Sequence, residues 1–440
     1  MLLLLLLLLV LPAAASPPPC ASRRDCSHNG ECVAGTCRCS AGWRGADCHQ
    51  LNFRADGTST SLGLNAWNRS TGANTSSWGG AVVRGDDGLY HMWAAVMAKG
   101  CGLGTYKSNS FVGHATSPDP IREGFTLREP AILSYAHEPS AIRAPTGEFV
   151  LYFTAAYRRN GSDWRQPVWG DEAAASPGPV DCTVPLSEQR GFSCDAATHR
   201  CVNVSGSPQF PSRGQCVQMG CEHTRTPGRY QPGCLSWGCW DDPTYMSWSR
   251  SPEGPWSTPV IVLDPLPTGD TNLAGVIGKD GSFVGIWREP APVFDPASGE
   301  LKNDQWVSAM RPVRASNWRD PSTYWVQPSI NLFKPHALPE VSGMGLEDPM
   351  LWVDKQHVYH AIMSDGRFHA WSEDGASWTL TPAMEISTGL AKCPHGFAGR
   401  PHLVLGADGA TPIALTGSCY FDKPVPFGGS TFTALLPIDP

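Results

Sequence analysis

After its first residues, the 440-residue chain has no apolar run long enough to cross a bilayer. Positive charge is not in excess: 33 Lys and Arg stand against 40 Asp and Glu, a formal net charge of -7, with a pI near 6.0. That balance argues against nucleic acid or an anionic membrane as the main partner. Charged residues are scarce at 17%, whereas 46 Gly, 40 Pro and 17 Trp are abundant. Such a mixture suits short strands joined by many turns, and it supplies indole faces of the kind that stack on sugar rings or fill cores.

The opening MLLLLLLLLVLPAAAS lacks a basic n-region, yet its apolar run is too short for a membrane span and Ala13-Ala14-Ala15 suits signal peptidase. We read residues 1–15 as a cleaved secretory signal, with no membrane insertion afterwards. The alternative is an uncleaved anchor. In a secreted chain the 16 Cys mean disulfides. Sequons at Asn68, Asn74, Asn160 and Asn203 fit glycosylation in the same extracellular compartment.

Residues 20–48 carry Cys20, Cys26, Cys32, Cys37, Cys39 and Cys48, with Asn29-Gly30 and Gly42-Trp43-Arg44-Gly45 between them. Spacing alone leaves fifteen connectivities open. The segment resembles an epidermal-growth-factor-like (EGF-like) module in its Cys spacing, the Gly before the third Cys and the Gly-Trp-x-Gly-x-x-Cys ending. The resemblance implies Cys20 with Cys32, Cys26 with Cys37, and Cys39 with Cys48, over a module spanning 16–50. Such modules serve as spacers or adhesive units, so it also implies a protein partner. The calcium-binding subtype needs acidic residues before its first Cys; Ser16-Pro17-Pro18-Pro19 stands there, so no metal site is expected.

From 55 to 440 one unit recurs, best displayed by Gly345 to Trp378. A polar residue and Pro open an apolar run, an acidic-Gly-type turn leads into a second run, and a third ends in a polar turn and Trp. These are three strands of an antiparallel meander. Second strands recur as LYHMWAA, EFVLYFTA, SFVGIWR, HVYHAIM and PIALTG, and third strands as FVGHATS, TYMSWSRS, QWVSAMR, RFHAWS and FTALLP. Repeats of this size cannot bury their faces alone, and the closed solution is a propeller. The expected fold class is therefore all-β: a five-bladed β-propeller preceded by a small disulfide-rich module. Six blades result if 156–243 hides another. That segment holds Cys182, Cys194, Cys201, Cys216, Cys221, Cys234 and Cys239, and we read it as a stapled insertion in the second blade. Cys101 completes an even set, and Cys393 with Cys419 is expected to staple the last blade.

The first strand of each blade lines the central channel, so the blade starts converge: Gly79, Glu138, Asn272, Asp348 and Arg400, flanked by Trp78, His137, Glu347 and His402. Two carboxylates at one funnel are what glycoside hydrolysis needs, one as acid and one as base or nucleophile. Side-chain alternation lets only one of Glu347 and Asp348 face the channel, and register favours Asp348. His91 and His360 on second strands, and His114 and His369 on third strands, repeat in register and read as packing rather than ligation. Glu253-Gly254-Pro255 and Arg319-Asp320-Pro321 lie at the ends of third strands, where they read as turns.

The motifs Ser77-Trp78-Gly79-Gly80, Cys101-Gly102-Leu103, His137-Glu138-Pro139, Glu347-Asp348-Pro349 and Arg400-Pro401-His402 resemble a secreted subgroup of the five-bladed glycoside hydrolases related to family 43, the arabinanase and xylosidase clan. The resemblance implies a carbohydrate-active protein without a cofactor, with a glycan or polysaccharide as its partner. Read from the converging blade starts, an enzyme here would use Asp348 and Glu138 as the acid and base, with Trp78, His137, Asn272, Glu347, Arg400 and His402 around the sugar. One departure matters. The active family has an Asp at the start of its first blade, where Gly79 stands here. The alternative is a non-catalytic carbohydrate-binding or adhesion protein, with Asp348 and Arg400 paired as a polar plug.

Overall fold

The computed structural model describes residues 19–54, 67–68, 73–74, 76–133, 135–155, 190–195, 197, 200–205, 243–263, 272–294, 301–327, 346–364, 366–382, 384, 393, 397–420 and 431–439. In the amino-terminal module two short hairpins, Gly30–Val33 with Thr36–Cys39 and Trp43–Arg44 with Gln50–Leu51, are stapled by Cys20–Cys32, Cys26–Cys37 and Cys39–Cys48. These are the three pairs implied by the resemblance.

Five antiparallel meanders follow. Blade one is Ser77–Arg84, Tyr90–Met97, Ser110–Ser117 and Thr126–Ile132. Blade two is His137–Arg143, Phe149–Thr154, Thr244–Ser249 and Val260–Leu263. Blade three is Asn272–Ile277, Phe283–Phe294, Leu301–Ala315 and Trp325–Val326. Blade four is Met350–Val353, Tyr359–Met363, Phe368–Ser372 and Thr379–Leu380, and blade five is Phe397–Leu405, Pro412–Tyr420 and Thr431–Pro437. The fourth, outermost strands are the elements that sequence reading missed. Two of them are only two residues long and largely exposed, so they carry no apolar alternation to find.

The inner strands touch in order, blade one to two to three to four to five and back to one, which closes the ring. Apolar cores fill the spaces between neighbouring blades. Trp93 meets Phe149 across blades one and two, Tyr152 meets Phe283 across blades two and three, and Met92 shares a core with Leu435 of blade five. Each such side chain, once buried, contributes roughly 1.5–3 kcal/mol relative to exposure. In blade two the second and third strands pair directly, Phe149 opposite Ser249 through Thr154 opposite Thr244, although residues 155–243 separate them in sequence. The described part of that segment is a separate hairpin, Arg190–Asp195 with Arg200–Ser205. The pairing of its seven cysteines lies outside the described residues. Cys393 is bonded to Cys419 in blade five.

Blade five has three strands, and the chain leaving the module runs along its outer edge. Phe53 forms an antiparallel bridge with Ile438. The Arg54 N–H donates to the Pro437 carbonyl at 3.2 Å, and the Asp439 N–H to that of Asn52 at 2.8 Å. This strap covers an edge that would otherwise expose unpaired backbone groups.

Candidate functional site

The blade starts are bulged. Register shifts fall between Trp78 and Ala81, His137 and Ser140, and Gly399 and His402, and left-handed backbone occurs at Gly79 (φ 69), Glu138 (φ 53), Asp348 (φ 55) and Arg400 (φ 51). Blades three and four begin in unbroken ladders, Asn272 opposite Arg288 and Met350 opposite Ile362, and Asp348 stands just before the latter. A bulge re-aims a side chain that simple alternation would send elsewhere. Left-handed backbone at a non-glycine residue is strained, and such strain clusters at working sites. Blade-five hydroxyls compensate the bulge in blade one: the Gly79 N–H donates to Ser418 Oγ at 2.6 Å, and Thr433 Oγ1 donates to the Gly79 carbonyl at 2.6 Å.

All five starts meet in one buried network. Asp348, Glu138 and Arg400 are 6%, 8% and 6% exposed, so any charge among them must be compensated within the protein. Arg400 donates twice to Asp348, from its backbone N–H to Oδ2 at 3.1 Å and from Nη1 to Oδ1 at 3.0 Å. The same Nη1 lies 3.6 Å from Glu138 Oε2, while Nη2 donates to the Glu138 carbonyl. Asn272 spans the remaining gap: its Nδ2 donates to Glu138 Oε2, and its Oδ1 accepts from the Asp348 N–H at 3.3 Å.

Gly79 completes the arrangement by leaving room. A Cβ at this position would lie 2.7 Å from Arg400 Cδ and 2.9 Å from Cγ. The space for a first-blade carboxylate is therefore filled by the stem of Arg400. The nearest carboxylate oxygens of Asp348 and Glu138 share one guanidinium nitrogen, so they are close enough for a glycosidase pair. That nitrogen lies between Asp348 Oδ1 and Glu138 Oε2.

The remaining sequence-derived residues lie around this network. His137 is buried; Ser110 Oγ donates to the Ala136 carbonyl at 2.9 Å and lies 2.7 Å from His137 Nδ1, and His137 Nε2 is 3.9 Å from Glu138 Oε1. Tyr106 packs its ring 4.8 Å from the imidazole. Glu347 is exposed, as its neighbour's burial requires, and pairs with Arg288 at 3.1 Å. Trp78 is buried against Ala95, Met97 and Tyr420, so its indole face is mostly covered. Tyr420, half-buried against it at a ring distance of 6.1 Å, is the more open aromatic at this end. Burial, and then the charge of Glu347, push the Tyr420 hydroxyl up. His402 sits one step further along the inner strand, near the Val82 N–H at 3.5 Å. Burial pushes it down to about 3 despite the nearby Leu403 carbonyl, so it is neutral at physiological pH. Sequence reading missed Ser110, Tyr420, Ser418 and Thr433, because nothing in their local strand pattern separates them from ordinary blade residues.

The repeated histidines form two matching relays. In blade one Asp87 contacts His91 at 3.1 Å, and His91 Nδ1 lies 3.0 Å from His114 Nε2. In blade four Asp354 contacts His360 at 3.6 Å, and His360 Nδ1 lies 3.1 Å from His369 Nε2. Both pairs are buried, the first within blade one and the second in blade four beneath Trp43 of the module. Glu253 and Asp320 belong to turns: Glu253 accepts from Ser251 Oγ at 2.6 Å, and Asp320 Oδ1 accepts from the Ser322 N–H at 3.0 Å. Among the described residues the one cluster with metal-ligand spacing is Cys20, Cys26 and Cys37, whose sulfurs are all in disulfides.

The sequon residues Asn68 and Asn74 lie in a short hairpin, Trp67–Asn68 with Ala73–Asn74, and Asn203 lies in the hairpin of the 156–243 segment. Asn160 and residues 1–15 lie outside the described residues.

Comparison with known proteins gives three findings. Residues 17–51 match the family model described as a Teneurin-like EGF domain. None of the curated proteins compared matches the chain. Among solved structures, the chain is similar to a family 117 glycoside hydrolase of the marine bacterium Zobellia galactanivorans, at 11% identity and a TM-score of 0.45, over 86% of this chain and 88% of that one. It is also similar to an endo-arabinase from Bacteroides thetaiotaomicron, at 12% identity and 0.42, over 82% and 94%. A GH43_1 enzyme from Xanthomonas citri complexed with xylotriose gives 11% and 0.43, over 82% and 87%. Likeness at this level decides neither activity nor substrate. The strand topology and the family match together make this chain an EGF-like module joined to a five-bladed β-propeller.

Proposed function

We propose that the protein is a secreted, glycosylated glycan-binding propeller whose axial carboxylates hold the site together and do not cleave. In this reading residues 1–15 are a cleaved signal, the module covers 16–50, and the propeller covers 55–440 with 156–243 inserted in its second blade. The observation that carries the proposal is Arg400. It engages both oxygens of Asp348 and the Oε2 edge of Glu138, and its stem fills the space above Gly79. General acid catalysis needs a carboxyl free to hand over a proton, and a base needs a lone pair facing water. A guanidinium clamped to both groups withholds these. Tyr420, Glu347 and Arg288 at the same end supply an aromatic surface and charged hydrogen-bonding groups, the combination that holds sugars.

The test is a panel of plant, algal and fungal polysaccharides, with binding read by affinity electrophoresis and cleavage by release of reducing ends. The expected result is retardation by at least one polysaccharide without new reducing ends, weakened up to about tenfold in Tyr420→Ala as a lost stacking contact would give. Release of reducing ends that disappears in folded Asp348→Asn would overturn the proposal in favour of hydrolysis. That second reading draws support from the closeness of the two carboxylates and from their strained backbone.

A further inference from the structure

The EGF-like module does not hang from the propeller as a spacer. It is seated on blade four, and the seat is built around histidines. Trp43 stacks on Trp352 at 6.5 Å and packs on His369 at 5.1 Å. His28 meets the edge of Trp371 at 4.3 Å. Cys26, Trp43, Cys48, Leu51 and Phe53 share one apolar core with Met350, Trp352 and Ile362 of blade four and with Leu403, Leu415 and Leu436 of blade five.

The charged and titratable groups at this seat come from both sides. From the module, Arg23 reaches Asp354 at 3.4 Å, Arg24 pairs with Glu373 through two nitrogens, and His28 Nε2 lies 3.4 Å from Glu373 Oε1. His49, itself paired with Asp47, acts on His369 from the module side. From blade four come Asp354, His360, His369 and Glu373. His360 is 1% exposed and His369 0%. Neither ring nitrogen of His28 makes a hydrogen bond, nor does His369 Nδ1. A second or third proton brought into this cluster has little water to solvate it.

We propose that the seat is an acid-sensitive latch: protonation of the cluster formed by His28, His360 and His369 lifts the module off blade four while the ring of blades stays closed. Burial is the leading cause that pushes all three imidazoles below their ordinary range, and for His369 the neighbouring histidines push the same way. A histidine depressed in the docked state favours docking fully above its ordinary value of about 6.5, and that contribution is lost as pH falls below it. Burial alone would raise Asp354, but bonds from His360 and the Val358 N–H bring it to about 2, and the Arg24 hydrogen bond holds Glu373 low. Both carboxylates therefore keep their charge through that window. They offset part of the cost, while the imidazoles alone change state.

The experiment is hydrogen–deuterium exchange on the full chain at about pH 7.5 and about pH 5, with rates corrected for intrinsic chemistry. The expected result is that protection of 41–54 and 437–439 falls by about tenfold or more at the lower pH, equivalent to ~1.4 kcal/mol, while 91–97 in blade one changes far less. The double substitution His28→Gln with His369→Phe, which keeps a ring against Trp43 and leaves only His360 of the three, should reduce the difference. Equal protection at both pH values in the natural chain overturns the proposal, as does an undiminished fall in the folded double variant. If that variant does not fold, the natural chain decides alone: a fall confined to 41–54 and 437–439 supports the latch, and no fall refutes it.

Discussion

Arg400 binds Asp348 twice and reaches across the axis to Glu138, so its removal takes away the cation that two buried carboxylates share. Breaking one side of a buried pair costs about 3–5 kcal/mol. Arg400→Met is therefore expected to lose stability of that order in urea unfolding, and Asp348→Asn in the same chain should restore part of it. If Arg400→Met unfolds at the same urea concentration as the natural chain, the clamp is not structural. At this scale the residue types at the blade starts were legible, because polar-Pro dipeptides recur in register. Which of Glu347 and Asp348 turns inward also followed from the register. The means did not follow: Glu138, Asp348 and Arg400 are aimed by left-handed backbone, within a bulge at Glu138 and Arg400, and nothing in a dipeptide reports the sign of φ. Gly79 read from the sequence as a missing base, whereas packing shows its place taken by the Arg400 stem.

Among the elements, second and third strands carried clear apolar runs and fell where expected. Outer strands such as Trp325–Val326 and Thr379–Leu380 did not, being short and wet. The strap at Asn52–Arg54 was also invisible, since a single bridge between Phe53 and Ile438 leaves no periodic trace. Phe53 is buried in the core shared by the module and the last two blades. Phe53→Ala is expected to cost about 3–5 kcal/mol of local stability, seen as faster proteolysis of the module with the inner blades still protected. Unchanged proteolysis would mean that the strap does not hold the fifth blade's edge.

For the whole molecule, the two Asp–His–His relays tie stability to pH. His114 in blade one is pushed down to about 4, first by burial and then by His91. Its contribution is present above about 6.5 and is lost as pH falls toward its depressed value. The urea midpoint of the propeller is therefore expected to drop between about pH 6.5 and pH 4, and His114→Phe should flatten that drop. A midpoint that stays constant down to pH 4 would contradict the assignment of a buried neutral relay.

By itself, the sequence determined the class of the protein: the resemblance of its cysteine-rich segment to an EGF-like module named the first part, and five meanders with polar starts pointed to a closed all-β ring, because motifs and periods are local properties of a chain. Only the tertiary structure decided what the polar starts do to one another. Arg400, Asp348, Glu138 and Asn272 are far apart in sequence, and whether they form a reactive pair or a clamp depends on distances of a few ångströms set by bulges and blade packing. The seat of the module was decided in the same way. Trp43 and His369 meet because the chain leaving the module is strapped to blade five and shares one core with blade four, a contact that no local pattern encodes.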